Sequence, residues 1–265
     1  MPVALNGNVR IHYHVRGSGS PFLLIMGYRA SGSMWGEEFS AALARQFQVI
    51  SFDNRGTGES DKPYAAHTIE TMADDAASVL DDLGIASAHI FGVSMGGMIA
   101  QEFALHHPQR VDRLVLGCTT CGGHLATPAT WAVRTQLFTP PNLAREAAVR
   151  RQWNVMFSSR FIEANADLID ELTQRALAHP SPPHSAMRQA LAIQWFDAST
   201  RLRRISHPTM VVVGKSDIVI PPANSHILAA HISDCVLEML PDTGHGFFWQ
   251  QPQEVADLLT QFCLG

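Results

Sequence analysis

The chain has no apolar run long enough to cross a bilayer. The stretch Phe22–Met26 falls far short of the roughly 20 residues a spanning helix needs. The opening residues, MPVALNGNVR, lack a basic segment followed by an apolar one, so no secretory leader is expected and cytoplasmic residence is the expectation. Cysteine is scarce, with four residues: Cys118, Cys121, Cys235 and Cys263. Cys118 and Cys121 form a C-x-x-C, but no second pair follows and no thioredoxin-like context surrounds it, so neither a zinc site nor a redox centre is expected. Excess charge is also missing. The formal net charge of −5 gives no reason to expect a nucleic acid or an anionic membrane as partner. No complete G-x-G-x-x-G or phosphate loop occurs. The stretch FDNRGTGES has the glycines without a lysine in register, and Asp53 and Arg55 read as loop ties. There is no internal repeat and no low-complexity tract. The absences leave an ordinary globular chain with no sign of a nucleic-acid or membrane partner. They say nothing of its oligomeric state.

What is present is alternation. VRIHYHV alternates polar and apolar residues as a half-buried strand does, and the pair His12 and His14 shares one face of it without a third ligand. PFLLIM, QVISFD, AHIFGVS and VDRLVLGC read as strands covered on both faces. Between them GEEFSAALARQF, TIETMADDAASVLDDLG and MGGMIAQEFALHHP read as helices, the second stopped by Gly84. Strand–helix alternation implies a parallel sheet with helices on both faces. From Gly122 to about Arg204 no strand is expected, only amphipathic helices separated by breakers such as SPP. PTMVVVGKSD then restores a strand, followed by a helix, the strand CVLEML and a closing helix. The expected organisation is an α/β core over residues 1–121 and 205–265, with residues 122–204 inserted as a helical cap over the carboxyl ends of the strands. The cluster Arg201, Arg203 and Arg204 reads as a solvated helix end.

The chemistry is sought where AHIFGVS gives way to MGGMIA. Gly92-Val93-Ser94-Met95-Gly96 matches G-x-S-x-G between a buried strand and a helix, the setting of a nucleophile elbow. Such a turn strains the serine backbone and needs small residues two positions either side. The hydroxyl then stands at a helix N-terminus that favours developing negative charge. A serine hydroxyl also needs a base to take its proton. With 13 histidines in the chain, type alone decides nothing. His245, in PDTGHGFF, follows the last strand between Gly244 and Gly246, which are expected to let the loop turn tightly. Asp217, in VVVGKSDIVIPP, ends the strand after the insertion. Both fall on the sheet edge of Ser94, in the order Ser, Asp, His. Asp242 reads as a turn former, His106 and His107 as groups pointing away from the elbow, and His124, His179 and His184 as surface groups of the cap, with substrate contact as their alternative role. The backbone N–H of Met95 and of Tyr28, in MGYRASGSMW, are the candidate oxyanion donors. Trp35 and Trp249 are candidates to line the pocket, or to pack in the core or at its rim.

GVSMGG, DNRGTGES, GKSDIVIPP and GHGFF, in this order, make essentially the whole chain resemble the α/β-hydrolase superfamily. MGYRASGSMW is similar to the oxyanion-loop region of 3-oxoadipate enol-lactonase-type enzymes and small esterases. Many relatives have His-Gly where this chain has Met26-Gly27, which puts the second oxyanion donor in question. The resemblance implies a mainly parallel eight-stranded sheet, a helical cap, no cofactor, and a serine hydrolase cleaving a small ester or lactone through Ser94, His245 and Asp217. Alternative readings are a carbon–carbon bond hydrolase of ring-cleavage products, a cofactor-free perhydrolase or oxygenase on the same scaffold, or a ligand-sensing protein with an idle site.

Overall fold

The computed structural model describes residues 2–137 and 143–265 of the 265-residue chain. Eight strands form one sheet: β1 (Val3–Asn6), β2 (Val9–Arg16), β3 (Ser20–Ile25), β4 (Phe47–Phe52), β5 (Ala88–Val93), β6 (Val111–Gly117), β7 (Thr209–Gly214) and β8 (Cys235–Leu240). Their spatial order is β1-β2-β4-β3-β5-β6-β7-β8. Only β1–β2 and β2–β4 are antiparallel; the other neighbours run parallel. A half-solvated first hairpin and covered central strands explain the two sequence patterns, one alternating and one continuously apolar.

β3 makes the two-faced burial explicit. Leu23 and Ile25 enter the core formed with α2 (Ile69–Asp82) and α3 (Met95–His106). Phe22, Leu24 and Met26 enter the core on the other face, with α1 (Glu37–Leu43) and the last helix, α11 (Pro252–Leu264). α2 starts at Thr68, whose side chain accepts from the Thr71 N–H while the Thr71 hydroxyl accepts from the Thr68 N–H. Its buried positions, among them Ile69, Met72, Ala73, Ala76 and Leu80, recur at helical spacing. α3 is buried all round from Met95 to Leu105, so its polar residues need internal partners. Glu102 has one in Arg201, which donates to both carboxylate oxygens. The cluster expected to be a solvated helix end therefore supplies the counter-charge of a buried carboxylate.

Between β6 and β7 lie only helices among the described residues, apart from single-turn pieces and one isolated bridge between Gly122 and Asp197. They are α4 (Trp131–Leu137), α5 (Arg145–Met156), α6 (Ser159–Ala164), α7 (Ala166–Ala178) and α8 (Pro183–Trp195). α9 (Ala223–His231) and the short α10 (Phe247–Gln250) complete the set. No helix among the described residues is long and apolar enough to cross a membrane. The chain leaves β3 toward β4 on one side and resumes at β5 on the other. The reversal opens a crevice at the carboxyl ends of β3 and β5, the usual ligand position in such sheets.

The loop after β4 braces this crevice. Asp53 accepts from the Gly32 N–H at 2.7 Å and the Glu59 N–H at 2.7 Å, and Asn54 Nδ2 donates to the Met26 carbonyl at 2.8 Å. Arg55 reaches away to Asp75 of α2, with two donors at 2.6 Å, and Asn6 Nδ2 donates to the same carboxylate at 2.9 Å. Burial still pushes the Asp75 carboxyl above its usual range, against the pull of Arg55. The pair therefore organises the loop more than it adds net stability. Arg55→Ala, which strands that carboxylate, should lower the unfolding free energy by about 3–5 kcal/mol in a urea titration, and replacing both partners by Met and Leu by far less.

Candidate active site

Ser94 sits between β5 and α3 with φ 57° and ψ −121°. A non-glycine residue in that region is strained by roughly 1–3 kcal/mol and persists only where its surroundings enforce it. Here the Ser94 N–H donates to the Gly117 carbonyl of β6 at 2.9 Å, and Thr119 Oγ1 donates to the Ser94 carbonyl at 2.7 Å. Bare backbone nearby is obligatory. A Cβ on Gly92 would strike the Gly96 carbonyl, and one on Gly96 the Ile25 carbonyl. One on Gly97 would lie 2.5 Å from Thr119 Cβ, and one on Gly27 would crowd Ser94 Cβ at 3.1 Å. The small residues of GVSMGG are thus explained by close approach of three strand ends.

Asp217 follows β7. Its Oδ1 accepts from the N–H groups of Val219 at 2.8 Å and Ile220 at 3.0 Å, while Oδ2 faces His245 Nδ1 at 2.8 Å. His245 follows β8 and is 6% exposed. The expectation that Gly244 and Gly246 serve a tight turn needs correction. Neither has positive φ. A Cβ on Gly244 would lie 2.6 Å from the Met156 carbonyl, and one on Gly246 would run into the Phe157 ring. The end of α5 presses on this loop, and glycine is required for closeness rather than for backbone freedom. Burial works against a charged imidazole, but the Asp217 carboxylate and the neighbouring Cys118 sulfur together more than offset it, so the His245 pKa lies well above its ordinary value.

Ser94 and His245 line one cavity of about 310 Å³, walled mostly by apolar groups. Gly27, Tyr28, Met95 and Trp249 line it too. Neither the Tyr28 nor the Met95 N–H has an acceptor among the described residues. Trp249 borders the cavity, its Nε1 donating to the Met34 carbonyl at 2.7 Å. Trp35 does not: it is 1% exposed, packed among Phe39, Phe91 and Phe248, because its large ring fills the core beneath the loop after β3. Asp242 is exposed with φ 57°, in a turn. His107 faces Asp74 at 2.9 Å, His179 faces Glu59 at 3.1 Å, and His184 stacks on Tyr64 at 4.4 Å, all outside the cavity that holds Ser94.

Sequence reasoning missed Cys118. Its thiol lies beside the pair, with sulfur, carboxylate oxygen and imidazole nitrogen within 4.8 Å of one another. Register pairs Val93 with Gly117, so the residue after β6 must adjoin the residue after β5, and strand order could have revealed it. Three potential metal ligands therefore meet here. Burial pushes the thiol up and keeps it protonated, and His245 Nδ1 is already engaged by Asp217, which suits a hydrogen-bonded pair better than a cation. Also missed were Arg134, Gln152 and Met156, which reach the cavity from α4 and α5. Amphipathic periodicity locates such helices but not the faces that meet a site.

A family defined by the alpha/beta hydrolase fold matches residues 20–252. RutD of Azorhizobium caulinodans, a protein named for carbamate hydrolysis, is 31% identical over 265 residues, spanning 99% of this chain and 98% of its own. The 3-oxoadipate enol-lactonase 2 of Acinetobacter baylyi is 31% identical over 224 residues, 83% of this chain and 80% of its own. The crystal structure of the enol-lactonase from Burkholderia xenovorans LB400 superposes with a TM-score of 0.86 at 22% identity, over 100% of both chains, a likeness of fold.

The carboxylate beside His245 sets an expected titration. Followed by its ring resonances in NMR, His245 should titrate above 6.5, and Asp217→Asn should lower that value, because the burial that opposes a charged ring then acts without the carboxylate that favours it.

Proposed function

Since this chain belongs to the alpha/beta hydrolase fold family, we propose that it is a serine hydrolase cleaving a small carboxylic ester or lactone, with Ser94, His245 and Asp217 as its catalytic residues. One observation carries the reading. A serine held in strained backbone opens on the same apolar cavity as a buried histidine whose Nδ1 is engaged by a buried carboxylate. The relatives named for carbamate and enol-lactone hydrolysis support carbonyl hydrolysis as the reaction class.

In the proposed cycle, Ser94 Oγ attacks the carbonyl carbon and its proton passes to His245 Nε2. Asp217 keeps the other ring nitrogen protonated and stabilises the imidazolium. The carbonyl oxygen becomes an oxyanion held by the Tyr28 and Met95 N–H groups, and loss of one such donor costs about 3 kcal/mol in the barrier. His245 returns the proton to the departing alcohol oxygen, leaving an acyl-Ser94. Water then attacks the acyl carbon, its proton going to His245 and on to Ser94 Oγ as the acid leaves. In a lactone the alcohol stays attached to the acyl group. No step calls for a metal or an organic cofactor. The helices between β6 and β7 act in this reading as a cap: Gln152 and Met156 of α5 close the cavity and set its size.

Esters and lactones of graded acyl size, run on wild type and Ser94→Ala side by side, test the proposal. Ser94→Ala should lose about 10⁴-fold or more in kcat and escape labelling by a fluorophosphonate. Undiminished turnover in that variant overturns the assignment. The pH profile is a second check. The base must be neutral to act, and its pKa is raised, so the rising limb of kcat/KM should lie above 6.5. Gly27→Ala, whose methyl would crowd Ser94 Cβ, should leave the fold intact and lower kcat/KM by roughly tenfold or more.

A further inference from the structure

A second cavity, of about 590 Å³, adjoins the first. The two share Tyr28, Ala30, Leu137, Gln152, Met156 and Trp249 as common wall. The second is bounded by the loop after β3 and by α5, α7 and α8, and much of its surface is apolar, with Trp153, Pro180, Ala186 and Ala190 among its residues. Its charged side chains are Arg29, Arg145 and His179. The first cavity adds Arg134. Neither cavity has an Asp or Glu among its lining residues, in a chain where 24 carboxylates outnumber 19 Lys and Arg. The bias is therefore opposite to the chain's own balance.

The cations are also largely uncommitted. His179 is matched by Glu59 at 3.1 Å. Arg29 and Arg134 have no carboxylate within salt-bridge distance among the described residues, and each lies beside an aromatic ring, Tyr28 and Trp131, at 5.9 Å from its centroid. The intervening residues 138–142, FTPPN, contain no acid. Arg145 donates one nitrogen to the Leu177 carbonyl at 3.2 Å and has no carboxylate partner among the described residues.

Arg29 is held in place at a cost. Its φ is 61°, a region glycine or asparagine would occupy more cheaply. The conformation is pinned from α8: the Arg29 N–H donates to Gln189 Oε1 at 3.0 Å, and Gln189 Nε2 donates to the Arg55 carbonyl at 2.9 Å. Gln189 is itself fully buried. A strained and partly buried arginine, next to the Tyr28 of the reacting cavity, thus lines the neighbouring chamber with no carboxylate partner among the described residues.

We propose that the second chamber is a subsite for a carboxylate carried at the far end of the substrate, selected by Arg29 and Arg145. The inference rests on the serine-hydrolase reading for where the reacting carbonyl lies. The substrate class becomes an ester or lactone with an apolar body across the shared wall and a terminal carboxylate beyond it. Each guanidinium presents the planar fork that a carboxylate accepts: partly buried Arg29 has no carboxylate partner among the described residues, and exposed Arg145 gives one donor to Leu177.

Half-esters of dicarboxylic acids, in a series of graded length, test this, each against a twin whose free carboxylate is capped as a methyl ester. At the length that spans the wall, wild type should favour the anionic member by roughly tenfold or more in kcat/KM. In Arg145→Gln and in Arg29→Gln the anionic-to-capped ratio should fall toward one, and Arg145→Glu should favour a twin ending in trimethylammonium. The ratio within each variant removes any loss shared by both substrates. A wild-type ratio near one at every length overturns the proposal, as does a high ratio unmoved in both glutamine variants. If no member is turned over, the hydrolase reading falls, and calorimetric binding of the same pairs to Ser94→Ala decides the subsite separately: roughly tenfold tighter binding of the anionic member, lost in Arg145→Gln, supports it, and equal binding overturns it.

Discussion

Everything at this site depends on three chain segments approaching one another more closely than side chains permit. The turn from β5 into α3 lies against the end of β3 and beside β6, and each approach is made by a residue without Cβ: Gly92, Gly96 and Gly97. Only then can a serine be held at φ 57°, its N–H bonded to one strand and its carbonyl to the threonine after it. The strain is borne by the sheet, whose central strands are buried on both faces and have no room to relax. Rigidity of the sheet and exposure of the hydroxyl are two sides of one packing arrangement.

Much of this was legible in the sequence, for physical reasons. Continuous apolar runs separated by helical periods admit few topologies other than a parallel sheet. Once strand ends are known, residues such as Ser94, Asp217 and His245 must gather along one edge, and the placement of Ser94 and His245 on one cavity follows from that. What stayed hidden depends on contacts between segments far apart in the chain. Arg201 read as solvated because its partner, Glu102, lies on a helix buried all round, and periodicity marks burial without marking pairs. Trp35 reads alike as core or pocket, since a large ring has the same composition in either setting. The glycines around His245 suggested a turn, and only the position of α5 shows that they make room for Met156 and Phe157.

The polar residues of DNRGTGES illustrate a division of labour around such a site. Asp53 and Asn54 hold the loop after β3, while Arg55 ties the same turn to α2. None of the three lines the cavity that holds Ser94. They fix the loop that bears Tyr28 through carboxylate and amide contacts to backbone, which transmit position with little slack.

The pressure of α5 on the loop around His245 has an evolutionary consequence. A helical insertion on a sheet of this kind is commonly pictured as a module that can be exchanged to alter selectivity while the machinery below is left alone. Here the carbonyl of Met156 and the ring of Phe157 rest on the two residues flanking the imidazole. An insertion borrowed from another protein would leave those glycines unsupported or overcrowded, and the ring they carry would drift. A change in the end of α5 therefore requires a matching change in the loop after β8.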